Sequence, residues 1–116
     1  MGDVLREKSY AFALRVVGLS EYLHKEKSEY VISRKVLDSA LNLGLLIEEG
    51  RQGENRTDFL QKYSVANKEA FKTNFLLRLL RDKEYLNKPW VESLITDCEE
   101  LQKMLISSLK TIRNKP

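Results

Sequence analysis

The sequence predicts an all-α protein, an antiparallel up-down-up-down four-helix bundle, and three observations carry that prediction. Apolar residues recur at a period near 3.6 in four long segments. The two prolines and five glycines cluster where that period breaks, so punctuation and pattern agree. No segment alternates with period two over a useful length, so essentially no sheet is expected. A chain of 116 residues suits one core, and residues 1–116 are read as a single domain.

The first helix is expected over about residues 3–25, with Leu5, Phe12, Val16, Leu19 and Leu23 on one face. Lys25-Glu26-Lys27 ends it. Ser28 is placed to cap a second helix, about 29–52, whose inner face is Ile32, Val36, Ala40, Leu43 and Ile47. Gly50 and Gly53 mark its end. Asn55 and Asp58 resemble a capping box with Asp in place of the usual Glu. They open a third helix, about 56–83, carrying Phe59, Tyr63, Ala66, Ala70, Thr73 and Leu77. Asn87 or Lys88 leads into Pro89, a residue favoured in a first helical turn. The fourth helix, about 88–113, then carries Val91, Leu94, Cys98, Leu101, Leu105 and Ile112. Short connections between such segments make neighbours antiparallel.

Composition narrows the function classes. With 42% hydrophobic and 32% charged residues the chain can bury a core, which excludes a disordered polypeptide. No apolar run approaches the roughly 20 residues needed to cross a bilayer. The opening Met1-Gly2-Asp3-Val4-Leu5-Arg6-Glu7-Lys8 lacks the apolar centre of a signal peptide, so a cytoplasmic protein without membrane contact is expected. A net charge of +3, with both signs interleaved, is weak evidence for a nucleic-acid partner. Cys98, the single cysteine, falls among Leu94, Leu101 and Leu105 at helical spacing and reads as a buried structural thiol. His24, the single histidine, reads as a surface residue at a helix end, where a cation suits the helix dipole.

Three helices carry more apolar surface than one core needs. At about 100° per residue, Leu37, Leu41 and Leu45 lie nearly opposite the inner stripe of the second helix. Phe71, Phe75 and Leu79 do the same on the third, and Tyr10, Leu14 and Val17 on the first. Monomers seldom expose contiguous apolar patches above a few hundred Å², so these seams are expected to meet another copy of the chain. The alternative is that the helices sit centrally enough to bury both faces.

Neither a glycine-rich phosphate loop nor a Cys/His metal spacing occurs, and no nucleophile and base pair declares itself. No catalytic residue, metal or cofactor is therefore expected. Glu48, Glu49 and Glu69 prompt comparison with a carboxylate dimetal site, but no histidine follows at the Glu-x-x-His spacing. Pairing with Arg34, Lys68 or Arg78 is the expected role of these glutamates. Lys68 and Lys72 share a face with Phe71 and Phe75, one ingredient of a single-stranded nucleic-acid platform. Interface packing, with lysine stems lying over the rings, is the role expected of the two phenylalanines. Lys103, Lys110 and Arg113 add positive charge near the C-terminus. These five cations are the candidate nucleic-acid contacts.

Several short motifs occur together: Ser9-Tyr10-Ala11-Phe12-Ala13-Leu14-Arg15-Val16-Val17, Val31-Ile32-Ser33-Arg34, Ile47-Glu48-Glu49, Asp58-Phe59, Lys68-Glu69-Ala70, Thr73, and Leu77-Arg78-Leu79-Leu80. In this combination, over about residues 8–86, the chain resembles the bacterial 23S rRNA intervening sequence proteins. The resemblance implies an antiparallel four-helix bundle that forms homopentamers, with no known enzymatic activity and often no assigned function. A related branch, the accessory variability determinant of diversity-generating retroelements, binds nucleic acid and a reverse transcriptase. The sequence departs from the pattern where Leu46 replaces a customary Asn, Gly50 and Gly53 stand for alanines, and Asn55 takes the place of a Ser cap. The leading expectation is a noncatalytic homo-oligomeric scaffold with RNA or DNA as ligand. The alternative is an adaptor for a protein encoded nearby.

Overall fold

The computed structural model describes residues 4–53 and 55–114. Four helices follow one another: α1 (Val4–Lys27), α2 (Val31–Arg51), α3 (Arg56–Asp82) and α4 (Lys88–Arg113). The expected start at Asp3 lies outside the described residues. Each helix packs on the next and α4 returns against α1, closing a bundle of 51 × 21 × 20 Å. No strand occurs among the described residues.

Contacts near the two ends of each seam make each adjacent pair antiparallel, with Glu49–Lys62 and Ser39–Thr73 ordering α2 against α3 and Arg56–Ile112 and Arg81–Glu92 ordering α3 against α4. Arg6–Glu48 and Ser20–Ser33 join α1 to α2. Ser39 and Thr73 share a 2.8 Å hydrogen bond between α2 and α3. Asn74 donates to Gln102 at 3.1 Å, and the Cys98 thiol reaches the Ala70 carbonyl at 3.3 Å, between α3 and α4. Arg15 meets Asp97 at 2.6 Å and Tyr22 meets the Trp90 ring edge-on, between α1 and α4. A buried polar group left alone costs about 1–3 kcal/mol, so the pairs at Ser20–Ser33, Ser39–Thr73 and Asn74–Gln102 penalise any slip of register.

The core follows the apolar stripes closely. Leu5, Phe12, Val16, Leu19 and Leu23 are buried on α1, as are Val36, Ala40, Leu43 and Ile47 on α2. Tyr63, Ala66, Ala70, Thr73 and Leu77 face them from α3, and Val91, Leu94, Cys98, Leu101 and Leu105 from α4. Ile32, Phe59 and Ile112 are only half-buried. Burial pushes the Cys98 thiol up to about 12, helped by Glu99 and Asp97, so it stays protonated at neutral pH.

The helix ends correct two expectations. Ser28 does not cap α2. It adopts a positive φ of 49°, and the Glu29 carboxylate accepts instead from the Ile32 and Ser33 amides at 3.1 and 2.8 Å. A longer side chain one residue further on reaches the orphan donors that Ser28 is turned away from. Gly50 and Gly53 bracket the end of α2 at Arg51, and Gly50 is a buried residue of its last turn. A Cβ there would meet the Tyr63 ring at 2.7 and 2.8 Å, so the aromatic ring occupies the space a side chain would need. Gly18 and Gly44, by contrast, fall inside helices, away from any break in the pattern. The other caps are as expected: Asn55 accepts from the Asp58 amide and Asn87 from the Trp90 amide, each at 2.9 Å, with Pro89 in the first turn of α4. α3 closes with the Glu84 amide on the Arg81 carbonyl and the Tyr85 amide on the Leu80 carbonyl, the two bonds of a Schellman motif. Glu84 holds the left-handed position at φ 59° that this motif usually gives to glycine.

Candidate nucleic-acid interface

The antiparallel pairing of α3 with α4 brings the start of one against the end of the other, and four of the five candidate cations gather there. Lys68 on α3 and Lys110 and Arg113 on α4 line a groove of about 290 Å³, floored by Ile106 and Leu109 and edged by Ser64 and Asn67. Lys103 and Lys110 line an adjoining depression of about 350 Å³ with Ser107 and Thr111. No carboxylate lines either one, and Lys68, Lys103 and Lys110 form no ion pair among the described residues. Arg113 donates to the Ser64 hydroxyl at 3.5 Å. Asn67 Oδ1 is buried without a hydrogen-bond partner. Basic side chains alternating with hydroxyls and an amide can contact a phosphate backbone through charge and hydrogen bonds alike.

Lys72 stands apart from this group. It pairs with the mostly buried Glu69 carboxylate at 3.1 Å and lines a second groove of about 600 Å³ between α2 and α3. That groove also holds Lys35, Asp38, Asn42, Phe71 and Phe75, while Lys68 belongs to both grooves. Lys35 and Asn67 were not singled out in the sequence. Lys35 is on another helix from Lys72, and only the Ser39–Thr73 register brings them to one groove.

The glutamates pair differently from expectation. Glu48 meets Arg6 at 3.2 Å, Glu49 meets Lys62 at 3.0 Å and Glu69 meets Lys72. Arg78 is occupied elsewhere, donating to Asn74 at 2.9 Å with its guanidinium 5.7 Å from the Phe75 ring centre. A larger cleft of about 830 Å³ lies at the opposite end of the bundle, where Lys27, Arg81 and Lys88 are balanced by Asp82, Glu84 and Glu92. The Arg81 guanidinium holds the Asp82 carboxyl below its ordinary range. This balance gives the cleft no preference for an anion.

Of the residues expected to meet another subunit, Tyr10, Leu14, Val17, Leu41, Leu45, Phe71, Phe75 and Leu79 are exposed. Leu37 departs from the expectation, being half-buried and packed on the core. These eight exposed residues fall on two sides. Tyr10, Leu14 and Val17 on α1 and Leu41 and Leu45 on α2 belong to the α1–α2 side, while Phe71, Phe75 and Leu79 run along α3. No helix among the described residues is long and apolar enough to cross a membrane.

Comparison with known proteins places this geometry in context. The family model described as 23S rRNA-intervening sequence protein matches residues 4–107. A solved structure of a protein with unknown function from the S23 ribosomal protein family of Bacteroides thetaiotaomicron is 39% identical, with a TM-score of 0.90. The match covers 92% of this chain and 99% of that one. No curated protein matches.

Proposed function

Starting from the fact that the chain belongs to the 23S rRNA-intervening sequence protein family, we propose that it is a noncatalytic, self-associating scaffold that binds the phosphate backbone of nucleic acid along the α3–α4 groove. The observation that carries this reading is the convergence of Lys68, Lys103, Lys110 and Arg113 on adjoining grooves lined by no carboxylate. The family description connects these proteins with 23S rRNA, which supports RNA as the polyanion. A noncatalytic role is supported by a thiol held protonated in the core and by glutamates engaged with Arg6, Lys62 and Lys72.

Self-association is supported by the α1–α2 face. A glycine inside a helix costs roughly 0.5–1 kcal/mol relative to alanine. A Cβ at Gly18 or Gly44 would meet no atom within 4 Å, so packing within the chain does not require either glycine. Both lie on the helices that expose Leu14, Val17, Leu41 and Leu45, where a second backbone gains close approach. Each subunit carries +3, so the pentamer implied by the resemblance would carry five times that, +15. Charge summed over a ring attracts a polyanion that one subunit would not hold.

The test is a mobility-shift titration with RNA and DNA at low salt. Wild-type protein is expected to bind both with little dependence on sequence, and Lys68→Glu with Lys110→Glu is expected to weaken binding at least tenfold. Absence of any shift would overturn the reading in favour of a protein adaptor.

A further inference from the structure

The α2–α3 groove differs from its neighbour in carrying two exposed aromatic rings. Phe71 and Phe75 are one helical turn apart on α3, 54% and 53% exposed. Lys35, Lys68 and Lys72 line the same groove with Asp38 and Glu69, the latter paired with Lys72, and the Arg78 guanidinium sits near the Phe75 ring. Lys68 lines both this groove and the cationic one between α3 and α4, so the two sites adjoin across α3. We propose that the nucleic acid is taken as a single strand, its backbone held by the α3–α4 cations and its bases carried past Lys68 to stack on Phe71 and Phe75. This inference rests on the phosphate-binding reading above and adds the form of the ligand.

Stacking on exposed rings beside a cationic track requires unpaired bases, which a duplex does not offer. The alternative occupant is a second copy of the chain. Burying this stripe against another subunit would also bring Lys68, which has no ion pair among the described residues, and the Lys72–Glu69 pair toward the contact. Lysine is depleted in interface cores because its ammonium is costly to desolvate. The α1–α2 face offers a contact without that cost, since Tyr10, Leu14, Leu41 and Leu45 are exposed there beside two glycines with open space around them. The favoured occupant of the phenylalanine stripe is therefore the base, and that of the α1–α2 face is the second copy.

The experiment is fluorescence anisotropy with a labelled homopyrimidine RNA strand and a labelled RNA duplex of equal length. Wild type, Phe71→Ala, Phe75→Ala and Phe75→Trp are compared, with light scattering on each protein without nucleic acid. Wild type is expected to bind the strand at least tenfold more tightly than the duplex. Each alanine variant is expected to lose about 5- to 160-fold in strand affinity, the range of one lost base–aromatic stack. Duplex affinity and assembly size should not change, and Phe75→Trp should retain strand binding. Equal affinity for strand and duplex, or alanine variants that bind the strand like wild type, would overturn the inference while leaving phosphate binding intact. Dissociation of the free assembly by Phe71→Ala would overturn it too, by assigning the stripe to a subunit contact. Failure of wild type to bind either ligand would remove the phosphate reading on which the inference rests.

Discussion

Replacing Gly50 with alanine tests whether the seam between α2 and α3 is packed as described. The added methyl would sit 2.7 and 2.8 Å from two Tyr63 ring carbons, where about 3.5–4.0 Å is the comfortable separation. The ring must therefore retreat by nearly 1 Å. It has little room to do so, because Tyr63 is buried and lies against Phe59 with ring centres 4.1 Å apart. Overpacking of this kind costs about 1–3 kcal/mol. Alanine returns about 1 kcal/mol through its helix propensity. The net expectation is a loss of up to about 2 kcal/mol, which for a chain of this size lowers Tm by up to about 8 °C. Thermal unfolding followed by circular dichroism at fixed protein concentration measures it, and Gly50→Ala with Tyr63→Leu should recover part of the loss by making room. A single variant at least as stable as wild type would refute the packing argument.

Three further perturbations follow. Leu41→Lys should reduce the assembly to smaller species in light scattering while keeping its helical circular dichroism, because Leu41 lies on the exposed α1–α2 side; a monomeric wild type would remove the premise. Cys98, whose folded pKa is raised from 9.0 to about 12, stabilises the fold fully below about pH 9 and loses that contribution as pH climbs toward 12. Urea midpoints should therefore fall more steeply with alkaline pH in wild type than in Cys98→Ala, by on the order of 2 kcal/mol near pH 11, and the folded thiol should label slowly at neutral pH. Equal pH slopes would place the thiol nearer to solvent. Glu84→Gly should raise stability by about 1 kcal/mol in urea unfolding by removing the left-handed strain that closes α3, and a destabilised variant would show that the Glu84 side chain contributes more than its backbone costs.

The bundle was legible because each helix has a stripe such as Leu5, Phe12, Val16, Leu19 and Leu23, and because Asn55 and Asn87 stand where a cap is required. A stripe gives a face, but not the partner across it. That is why Glu48 and Glu49 found Arg6 and Lys62 instead of the expected cations: the pairing depends on which turns of antiparallel helices come level, which Ser20–Ser33 and Ser39–Thr73 decide in three dimensions. The same limit separates Lys72 from Lys110. Both looked equivalent as cations along the chain, but one belongs to the α2–α3 groove and the other to the α3–α4 groove. Gly50 reads as a mark of the helix end, which it is, but nothing local shows that it also makes room for Tyr63 thirteen residues later. Glu29 was missed as a cap because Ser28 has the stronger intrinsic preference and only the turn geometry disqualifies it.

The central claim, that the α3–α4 groove holds a phosphate backbone, is tested most directly by the salt dependence of binding to single-stranded RNA. Each phosphate contact contributes a slope of about −0.7 to a plot of log affinity against log salt. With Lys68, Lys103, Lys110 and Arg113 engaged, one subunit is expected to give a slope near −3, and Lys68→Ala with Lys110→Ala should flatten it by about 1.4. A wild-type slope near zero, or one that the double substitution leaves unchanged, would contradict the account.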